Sequence, residues 1–174
     1  IFAKRLSLPL NLQGIQMKTF SVKELLSPDH LHQEVTVNGW VKTYRSNRFI
    51  ALNDGSTINN IQCVVDFEEF DENLLKQINT GAALKISGTL VESQGKGQSL
   101  EIQVKEIKVH GGADPEVYPI QPKKHSLEFL REKAHLRVRT NTFAAIMRVR
   151  SALSFAVHQY FQKNGFFYVH TPII

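Results

Sequence analysis

The sequence predicts an all-β domain of five strands with one inserted helix, followed by the start of a second domain. Five strand-like runs lie between residues 35 and 109, and turn-forming residues separate them. A helical pattern over 71–78 separates the third run from the fourth. Five strands with a helix at that place are typical of a closed barrel of the OB type, a common platform for single-stranded nucleic acid. The predicted strands are Val35–Tyr44, Phe49–Asn53, Asn60–Val65, Ala82–Val91 and Leu100–Val109.

Composition limits the function classes. The 174 residues are 42% hydrophobic, and no apolar run approaches the roughly 18 residues that cross a bilayer, so no membrane partner is expected. The single cysteine, Cys63, excludes an internal disulfide, fits a reducing compartment and lies in a strand-like run, so we interpret it as a packed thiol. Residues 18–110 carry 10 Lys/Arg against 12 Asp/Glu, whereas 123–150 carry 8 against 2. Nucleic-acid recognition by the barrel therefore depends on a few placed side chains rather than on net charge.

Four segments are predicted along the chain. Residues 1–16 lack acidic side chains and carry a Lys-Arg pair, so we interpret them as leader or tag sequence, with an organelle-targeting remnant as the alternative. The barrel is expected over 17–111 and a proline-bearing hinge over 112–134. Residues 135–174 are expected to begin a second domain with the long amphipathic helix Asn141–Lys163. Because that helix and one following strand cannot bury their own apolar side, we expect this domain to be truncated.

Local patterns justify the first elements of the barrel. Ser21 and Glu24 form a capping box, in which the hydroxyl and the carboxylate each accept a backbone amide at the start of a short helix. In the first strand, Val35, Val37 and Val41 share one face by strict alternation. We expect that face to line the interior of the barrel.

Four further features shape the predicted barrel. Gly39 within the first strand indicates the tight bend that a small barrel needs. Its neighbour Trp40 is interpreted either as a buried lid at the barrel edge or as a stacking surface, and we favour packing. Asp71 is expected to cap the inserted helix. A change of phase in the last strand predicts a bulge near Lys105–Glu106, and bulges help a sheet to close.

Two side chains are predicted to share the exposed face of the barrel. Ile50 belongs to the apolar phase of the second strand, which leaves Phe49 on the opposite face. Cys63 points inward in the third strand, which sends Gln62 outward. An aromatic ring beside a carboxamide offers a surface on which a base stacks and a donor–acceptor pair for the edge of that base. The alternative is a second small core beneath a neighbouring segment.

Two turn regions add candidate nucleic-acid contacts. Asn53 opens a strong turn signal, Asn-Asp-Gly-Ser, and lies on the same face of its strand as Phe49. The loop 93–98 carries two glycines around Lys96, whose ammonium group can lie against a phosphate. A plain hairpin explains those glycines almost as well.

These motifs, taken in order, resemble one family of enzymes. The barrel is similar to the N-terminal anticodon-binding domain of the aspartyl/asparaginyl/lysyl subgroup of class II aminoacyl-tRNA synthetases, and the later motifs look like asparaginyl-tRNA synthetase. The barrel motifs are Gly39-Trp40-Val41, Arg45, Phe49-Ile50, Asn53-Asp54-Gly55 and Ile61-Gln62. The later motifs lie at 93–98, 118–125, 128–131 and 135–139, and 165–172 resembles the close of class II motif 1.

The resemblance implies roles for individual residues. Phe49 matches the aromatic residue that stacks on an anticodon base, and Gln62 matches the residue that reads the central anticodon uridine. Arg45 lies in the basic stretch that contacts the anticodon stem-loop. Phe166, at the start of a strand predicted to run to His170, and Pro172 match motif 1, which forms the dimer interface of the family. Asn53 and Lys96 complete the predicted tRNA contacts.

The resemblance also implies the function of the parent protein. It is expected to activate asparagine with ATP and Mg²⁺, to charge tRNA(Asn), and to act as a homodimer in the cytoplasm or, alternatively, in an organelle. Motifs 2 and 3, whose arginines hold ATP in this family, have no counterpart in the 174 residues, so we predict no catalytic residue, no cofactor and no activity for the chain alone. The alternatives are an aspartyl relative, possibly a non-discriminating one, and a free-standing OB module that binds single strands.

The remaining titratable residues indicate no further chemistry. The seven histidines show neither metal-ligand spacing nor a Ser-His-Asp arrangement, so no metal site is predicted. We interpret His135 and His170 as structural or interfacial. The five arginines between 131 and 150 either contact tRNA or the partner subunit, or form a solvated surface.

Overall fold

A computed structural model describes residues 18–95 and 97–172 of the chain. These residues form six strands and four α-helices, and short 3-10 turns lie at Pro28–His30 and Arg137–Arg139. No helix in the described ranges is long and apolar enough to cross a membrane. The strands are β1 (Thr19–Phe20), β2 (Glu34–Arg45), β3 (Phe49–Asn53), β4 (Ile61–Val64), β5 (Ala83–Glu92) and β6 (Leu100–Gly111). The helices are α1 (Val22–Leu25), α2 (Glu72–Lys76), α3 (Leu127–Glu132) and α4 (Asn141–Lys163).

Strands β2 to β6 close into a barrel. The strand order is β2-β3-β4-β6-β5, and β5 pairs back onto β2 over seven residue pairs. All neighbours are antiparallel except β4 and β6, which run parallel and are joined by the crossover through α2 and β5. Strand β1 adds a short parallel pair to β2. The predicted five-stranded OB barrel with its inserted helix is therefore confirmed.

The barrel interior follows the alternation read from the sequence. Val35, Val37 and Val41 of β2 are at most 2% exposed, and their counterparts on β3 to β6 join them in one hydrophobic cluster. One pair departs from the pattern, because Thr36 and Ser87, on paired strands, are also buried. Their hydroxyl oxygens lie 2.9 Å apart, so the hydrogen bond between them offsets the cost of burying two polar groups.

Bulges change the phase of two strands. The predicted bulge in β6 is confirmed, since Ser87 pairs with Glu106 and the next residue, Gly88, pairs with Val104, which leaves Lys105 as the extra residue. A second bulge, which the sequence did not suggest, places Lys42 as the extra residue of β2 opposite β3. Because of this extra residue, each residue of β2 after Lys42 faces the opposite side of the sheet from the side that simple alternation predicts.

The helix caps follow the sequence closely. Ser21 and Glu24 form both hydrogen bonds of the capping box, and Asp71 accepts the amides of Asn73 and Leu74 at the start of α2. These side chains satisfy amide groups that the first turn of a helix leaves without partners.

The part of the chain after the barrel is more open. Helix α3 lies inside the predicted hinge, and α4 has the predicted bounds, with the Thr140 side chain as its N-cap. The predicted strand after Gly165 is wrong for this structure, because residues 166–172 have no regular secondary structure. A strand needs a neighbour to accept its backbone hydrogen bonds, and the described residues provide none at this place. The apolar residues of α4, such as Leu153, remain exposed.

Candidate nucleic-acid interface

Phe49 and Gln62 lie on the same outer face of the barrel. Ala51 of β3 pairs with Gln62 of β4, and Phe49 pairs with Val64, so Phe49 and Gln62 are diagonal neighbours across the two strands. Both side chains are half-buried, whereas Ile50 between Phe49 and Ala51 is fully buried. The predicted parity of β3 and β4 is thus confirmed, and the ring and the carboxamide stand side by side.

A carboxylate holds the Gln62 amide in one orientation. Gln62 Nε2 donates to Glu101 Oε2 at 3.2 Å, and the same oxygen accepts the Ser93 hydroxyl at 2.8 Å and Gln98 Nε2 at 3.3 Å. Glu101 pairs with Gln62 across the parallel β4–β6 contact. Because the amide nitrogen faces Glu101, the Gln62 oxygen and the second N–H remain to meet a ligand.

The sequence interpretation missed Glu101. Its outward position is readable from the buried Leu100 and Ile102 on either side, but its place beside Gln62 depends on the parallel pairing of β4 with β6. No local pattern specifies that pairing. A tertiary contact was needed to find this residue.

The turn between β2 and β3 adds two arginines at the edge of this face. Ser46 and Asn47 have φ of 54° and 49°, the backbone of a two-residue turn that matches the strand twist. Arg45 pairs with Phe49 at the base of the turn and is exposed. The Arg48 guanidinium lies 5.8 Å from the centre of the Phe49 ring, within the range of a cation–π contact. The sequence reasoning did not single out Arg48, although a basic residue next to the aromatic was a visible signal.

Asn53 lies at the other end of β3, away from Phe49. Its Nδ2 donates to the carbonyls of Thr57 at 3.1 Å and Asn59 at 2.7 Å, and its Oδ1 accepts the Gly55 amide at 2.9 Å. The side chain therefore closes the loop after β3. Because Ala51 pairs with Gln62, Asn53 lies diagonal to Gln62 on the same outer face, on the side away from Phe49. An RNA contact from it stays a prediction.

The loop between β5 and β6 borders the same face. Ser93 and Gln98 from this loop bind Glu101, as described above, and Gly97 has a φ of 102° that favours glycine. Lys96, predicted to contact a phosphate, lies outside the described residues. Its role stays a prediction.

The residues predicted to contact a second subunit follow α4. Phe166 is 61% exposed and makes an edge contact with Phe161, with ring centres 5.5 Å apart. Pro172 is also exposed. Nothing in the described chain covers these two residues, so their part in a dimer stays a prediction.

Two titratable side chains of the barrel have pKa values that burial changes. Cys63 is fully buried in the barrel, as predicted, and burial raises the pKa of its thiol far above the usual value. Burial likewise raises the pKa of Tyr44. Among the described residues, no group of three or more His, Cys, Asp or Glu side chains is placed to hold a metal ion.

Comparison with known proteins agrees with this geometry. Residues 35–109 match the family model described as an OB-fold nucleic acid binding domain. The chain is 56% identical over 163 residues to the asparagine--tRNA ligase of Cytophaga hutchinsonii and 53% identical over 161 residues to that of Parabacteroides distasonis. Each alignment covers 91% of this chain.

Solved structures show the same fold. An asparaginyl-tRNA synthetase from Entamoeba histolytica, in complex with asparaginyl-adenylate, matches 81% of this chain and 35% of its own, with a TM-score of 0.70 and 25% identity. The synthetase from Pyrococcus horikoshii matches 90% of this chain and 38% of its own, with a TM-score of 0.76 and 23% identity, and shows the fold alone. The chain spans about a third of the length of the curated relatives, 35% in Cytophaga hutchinsonii and 34% in Parabacteroides distasonis. Over that third the chain is homologous to the asparagine--tRNA ligases, and its barrel matches the OB-fold nucleic acid binding domain family.

Proposed function

We propose that the barrel reads the anticodon loop of a tRNA as part of an asparagine--tRNA ligase. The observation that carries the proposal is the pair of Phe49 and Gln62, side by side on the outer face of β3 and β4. This is the face on which OB folds bind oligonucleotides. The names of the relatives give the class of RNA, since they charge tRNA with asparagine.

Stacking and hydrogen bonding divide the work between the two side chains. The Phe49 ring offers its face to an unpaired base, a contact worth about 1–3 kcal/mol per base. Gln62 offers an acceptor and a donor to the Watson–Crick edge of a uridine, whose N3–H donates and whose carbonyls accept. Because Glu101 accepts a hydrogen bond from the Gln62 amide nitrogen, the uridine edge meets the donor and the acceptor of Gln62 in a fixed arrangement. A cytidine presents N3 as an acceptor instead and does not fit the same pattern.

The arginines at the rim are proposed to position the RNA. Arg45 and Arg48 lie at the turn next to Phe49, where a backbone that leaves the stacked base would pass. Contacts to phosphates fix register and orientation and carry little sequence information. We assign Lys96 the same task from its place in the sequence alone, between two glycines.

The activity of the whole protein is part of the same proposal. The parent enzyme would join asparagine to tRNA with ATP and Mg²⁺, whose sites lie in other parts of such a ligase. It would act as a homodimer through Phe166 and Pro172, and in the cytoplasm. The exposed apolar side of α4 is consistent with cover by the rest of such a protein.

A binding experiment tests the reading of the central base. Fluorescence anisotropy compares anticodon stem-loops that carry either uridine or cytidine at the central position. We expect the chain to prefer uridine, and Gln62→Ala to cost about 1–3 kcal/mol with the uridine loop while the preference is lost. Gln77→Ala, which removes an exposed amide at the end of α2, is the matched control and should leave both affinities unchanged. Equal relative affinities for the two loops in the parent chain and in Gln62→Ala would refute the assignment.

The free-standing OB module is the weaker alternative. The similarity to the ligases covers 91% of the chain and so continues well beyond the barrel. An aspartyl relative has the same fold, as the 0.73 TM-score of a putative aspartyl-tRNA synthetase from Leishmania major indicates at 18% identity. Charging assays of the parent protein with asparagine and aspartate separate these two enzymes.

A further inference from the structure

The segment between the barrel and α4 packs against the barrel. Ile120 and Leu130 of this segment are 7% and 3% exposed, so it carries buried side chains. The Tyr118 ring lies so close to Gly81, in the turn before β5, that a Cβ at Gly81 would be 2.7 Å from it. Gly81 also has a φ of 95°, so glycine suits both the turn and this contact. The segment is therefore joined to the barrel by side-chain contacts as well as by the chain.

A first anchor joins β2 to the residues just before α4. The Arg139 guanidinium lies 4.5 Å from the centre of the Trp40 ring, within the range of a cation–π contact. Lys42, the extra residue of the β2 bulge, donates its ammonium group to the backbone carbonyl of Arg139. Arg139 is thus held by its side chain and by its backbone, close to the point at which α4 begins.

The Trp40 ring does not form the buried lid that the sequence suggested. It is 39% exposed, and Arg139 covers part of it from the segment after the barrel. Its outward position on β2 follows from the alternation with buried Val41, so the barrel interior was not available to it. The ring instead provides the surface on which the first anchor is built.

A second anchor joins α4 to the loop after β3. The Arg148 guanidinium donates to the backbone carbonyls of Gly55 and Ser56 in that loop. The loop itself is held in place, because Asp54 accepts the Val22 amide at 2.9 Å and the Ser56 hydroxyl at 2.6 Å. A guanidinium carries several N–H donors in one plane, so a single arginine binds both carbonyls at once.

The two anchors together define the direction of α4 relative to β2 and β3. Trp40 pairs with Asn53 across these strands, so the loop that follows Asn53 begins beside the first anchor. Asn141, the first residue of α4, and Arg148 lie roughly 10 Å apart along the helix axis at about 1.5 Å per residue. A single contact would leave the helix free to swing about it, whereas two contacts at this separation fix its direction.

Helix α4 has a different environment on its opposite side. Arg148 and Ser151 border the space between α4 and the barrel. The exposed side chains Ile146, Leu153 and Val157 lie on the other side, roughly 140–180° around the helix from Arg148 at about 100° per residue. A helix with the barrel on one side and an exposed apolar surface on the other is placed to connect two bodies.

We propose that Arg148 is a positioning residue for the charging of tRNA. It fixes the barrel to α4 and so sets the orientation in which a tRNA, held at its anticodon loop, meets the part of the ligase that transfers asparagine. The proposal rests on the proposed anticodon function and goes beyond it, because it assigns Arg148 no contact with the bases or with the reacting groups. A misplacement of about 1 Å that arises far from the chemistry can lower a rate about 100-fold. The first anchor remains when Arg148 is replaced, so we expect a smaller effect than this.

Three measurements separate positioning from folding and from RNA binding. Asparagine-dependent exchange of pyrophosphate into ATP measures amino-acid activation by the parent ligase without tRNA. Charging of tRNA gives kcat and KM, and fluorescence anisotropy gives the affinity of the 174-residue chain for the anticodon stem-loop. We expect Arg148→Ala to lower kcat for charging about tenfold. KM for tRNA, pyrophosphate exchange and stem-loop affinity should each stay within about twofold of the parent values.

Two further variants serve as controls. Arg148→Lys keeps a donor for one loop carbonyl, so it should recover part of the charging rate that Arg148→Ala loses. Lys76→Ala removes an exposed cation that pairs with Glu72 on α2, outside both anchors. This variant should leave kcat for charging within about twofold of the parent value.

The outcomes distinguish this proposal from the anticodon assignment. An unchanged kcat for charging in Arg148→Ala overturns the positioning role, even if the chain prefers a central uridine. A proportional fall in pyrophosphate exchange also overturns it, because Arg148 would then only maintain the fold. An equal fall in stem-loop affinity overturns it as well, because Arg148 would then act through RNA binding. A parent chain without preference for the central uridine refutes the anticodon function, on which this proposal depends.

Discussion

The Glu101 carboxylate should determine how sharply Gln62 discriminates between bases. One of its oxygens accepts hydrogen bonds from Gln62, Ser93 and Gln98, at 3.2, 2.8 and 3.3 Å. Glu101→Ala removes all three, and the Gln62 amide is then free to rotate and to present either its nitrogen or its oxygen to the base. We expect the ratio of affinities for uridine and cytidine loops to fall by a factor of about five, or about 1 kcal/mol.

The same substitution has a separate effect on the fold. Three hydrogen bonds to a partly exposed carboxylate should contribute about 1–2 kcal/mol to the free energy of unfolding, because water screens and replaces part of each bond. Urea denaturation followed by circular dichroism measures this loss. Glu101→Gln keeps one acceptor oxygen, so it should lie between the parent and Glu101→Ala in both assays.

A double-mutant cycle isolates the contact between the two side chains. The affinities of Gln62→Ala, Glu101→Ala and the double variant are measured with the uridine stem-loop. If Glu101 acts by orienting Gln62, the two losses do not add, and the coupling is about 1 kcal/mol. Additive losses, or an unchanged base preference in Glu101→Ala, would refute the orienting role. The unfolding measurements show whether any loss of affinity comes from unfolded protein.

Three further predictions concern the barrel itself. Ser46→Gly should raise the free energy of unfolding, measured in urea, by about 0.5 kcal/mol. Ser46 has a φ of 54°, which costs an L residue about 1–2 kcal/mol and costs glycine nothing. The flexibility of glycine in the unfolded chain cancels part of this gain. A lower free energy of unfolding in Ser46→Gly than in the parent would contradict this prediction. Gly88→Ala should destabilise the barrel by more than about 2 kcal/mol, because the added Cβ would lie 2.1 Å from the Gln103 carbonyl oxygen. Gly111→Ala is the control: the added Cβ meets open space, so stability should change by less than about 0.5 kcal/mol. Equal thermal midpoints for the two variants would be the contrary result. Burial raises the pKa of the Cys63 thiol. The contribution of the neutral thiol to the free energy of unfolding is therefore complete below the pKa of about 8.5 in the unfolded chain, and it declines as pH rises above that value. Cys63→Ala should flatten the decline in urea titrations at rising pH, and an identical decline in parent and variant would contradict this prediction.

The strands and the central pair of the site were predictable because both depend on short-range alternation. The phase of β3 and β4 follows from the apolar residues within each strand, and that phase alone places Phe49 and Gln62 outward. Glu101 was not predictable in its role, because its contact with Gln62 depends on a parallel pairing of strands that lie 39 residues apart in the chain. The contact of the Arg139 guanidinium with the Trp40 ring was not predictable for the same reason, because the two residues lie far apart in the chain and no local sequence pattern relates them.

The bulge at Lys42 determines which residues at the end of β2 face outward. Simple alternation from buried Val41 would turn Arg45 into the barrel and Tyr44 away from it. With Lys42 as an extra residue, Tyr44 pairs with buried Ile50 and packs against the core, whereas Arg45 pairs with Phe49 on the outer face. The ammonium group of Lys42 donates to the backbone carbonyl of Arg139, in the segment after the barrel. One added residue in β2 thus determines the outward position of Arg45, and the hydrogen bond to the Arg139 carbonyl offsets part of the cost of half-burying the Lys42 ammonium group.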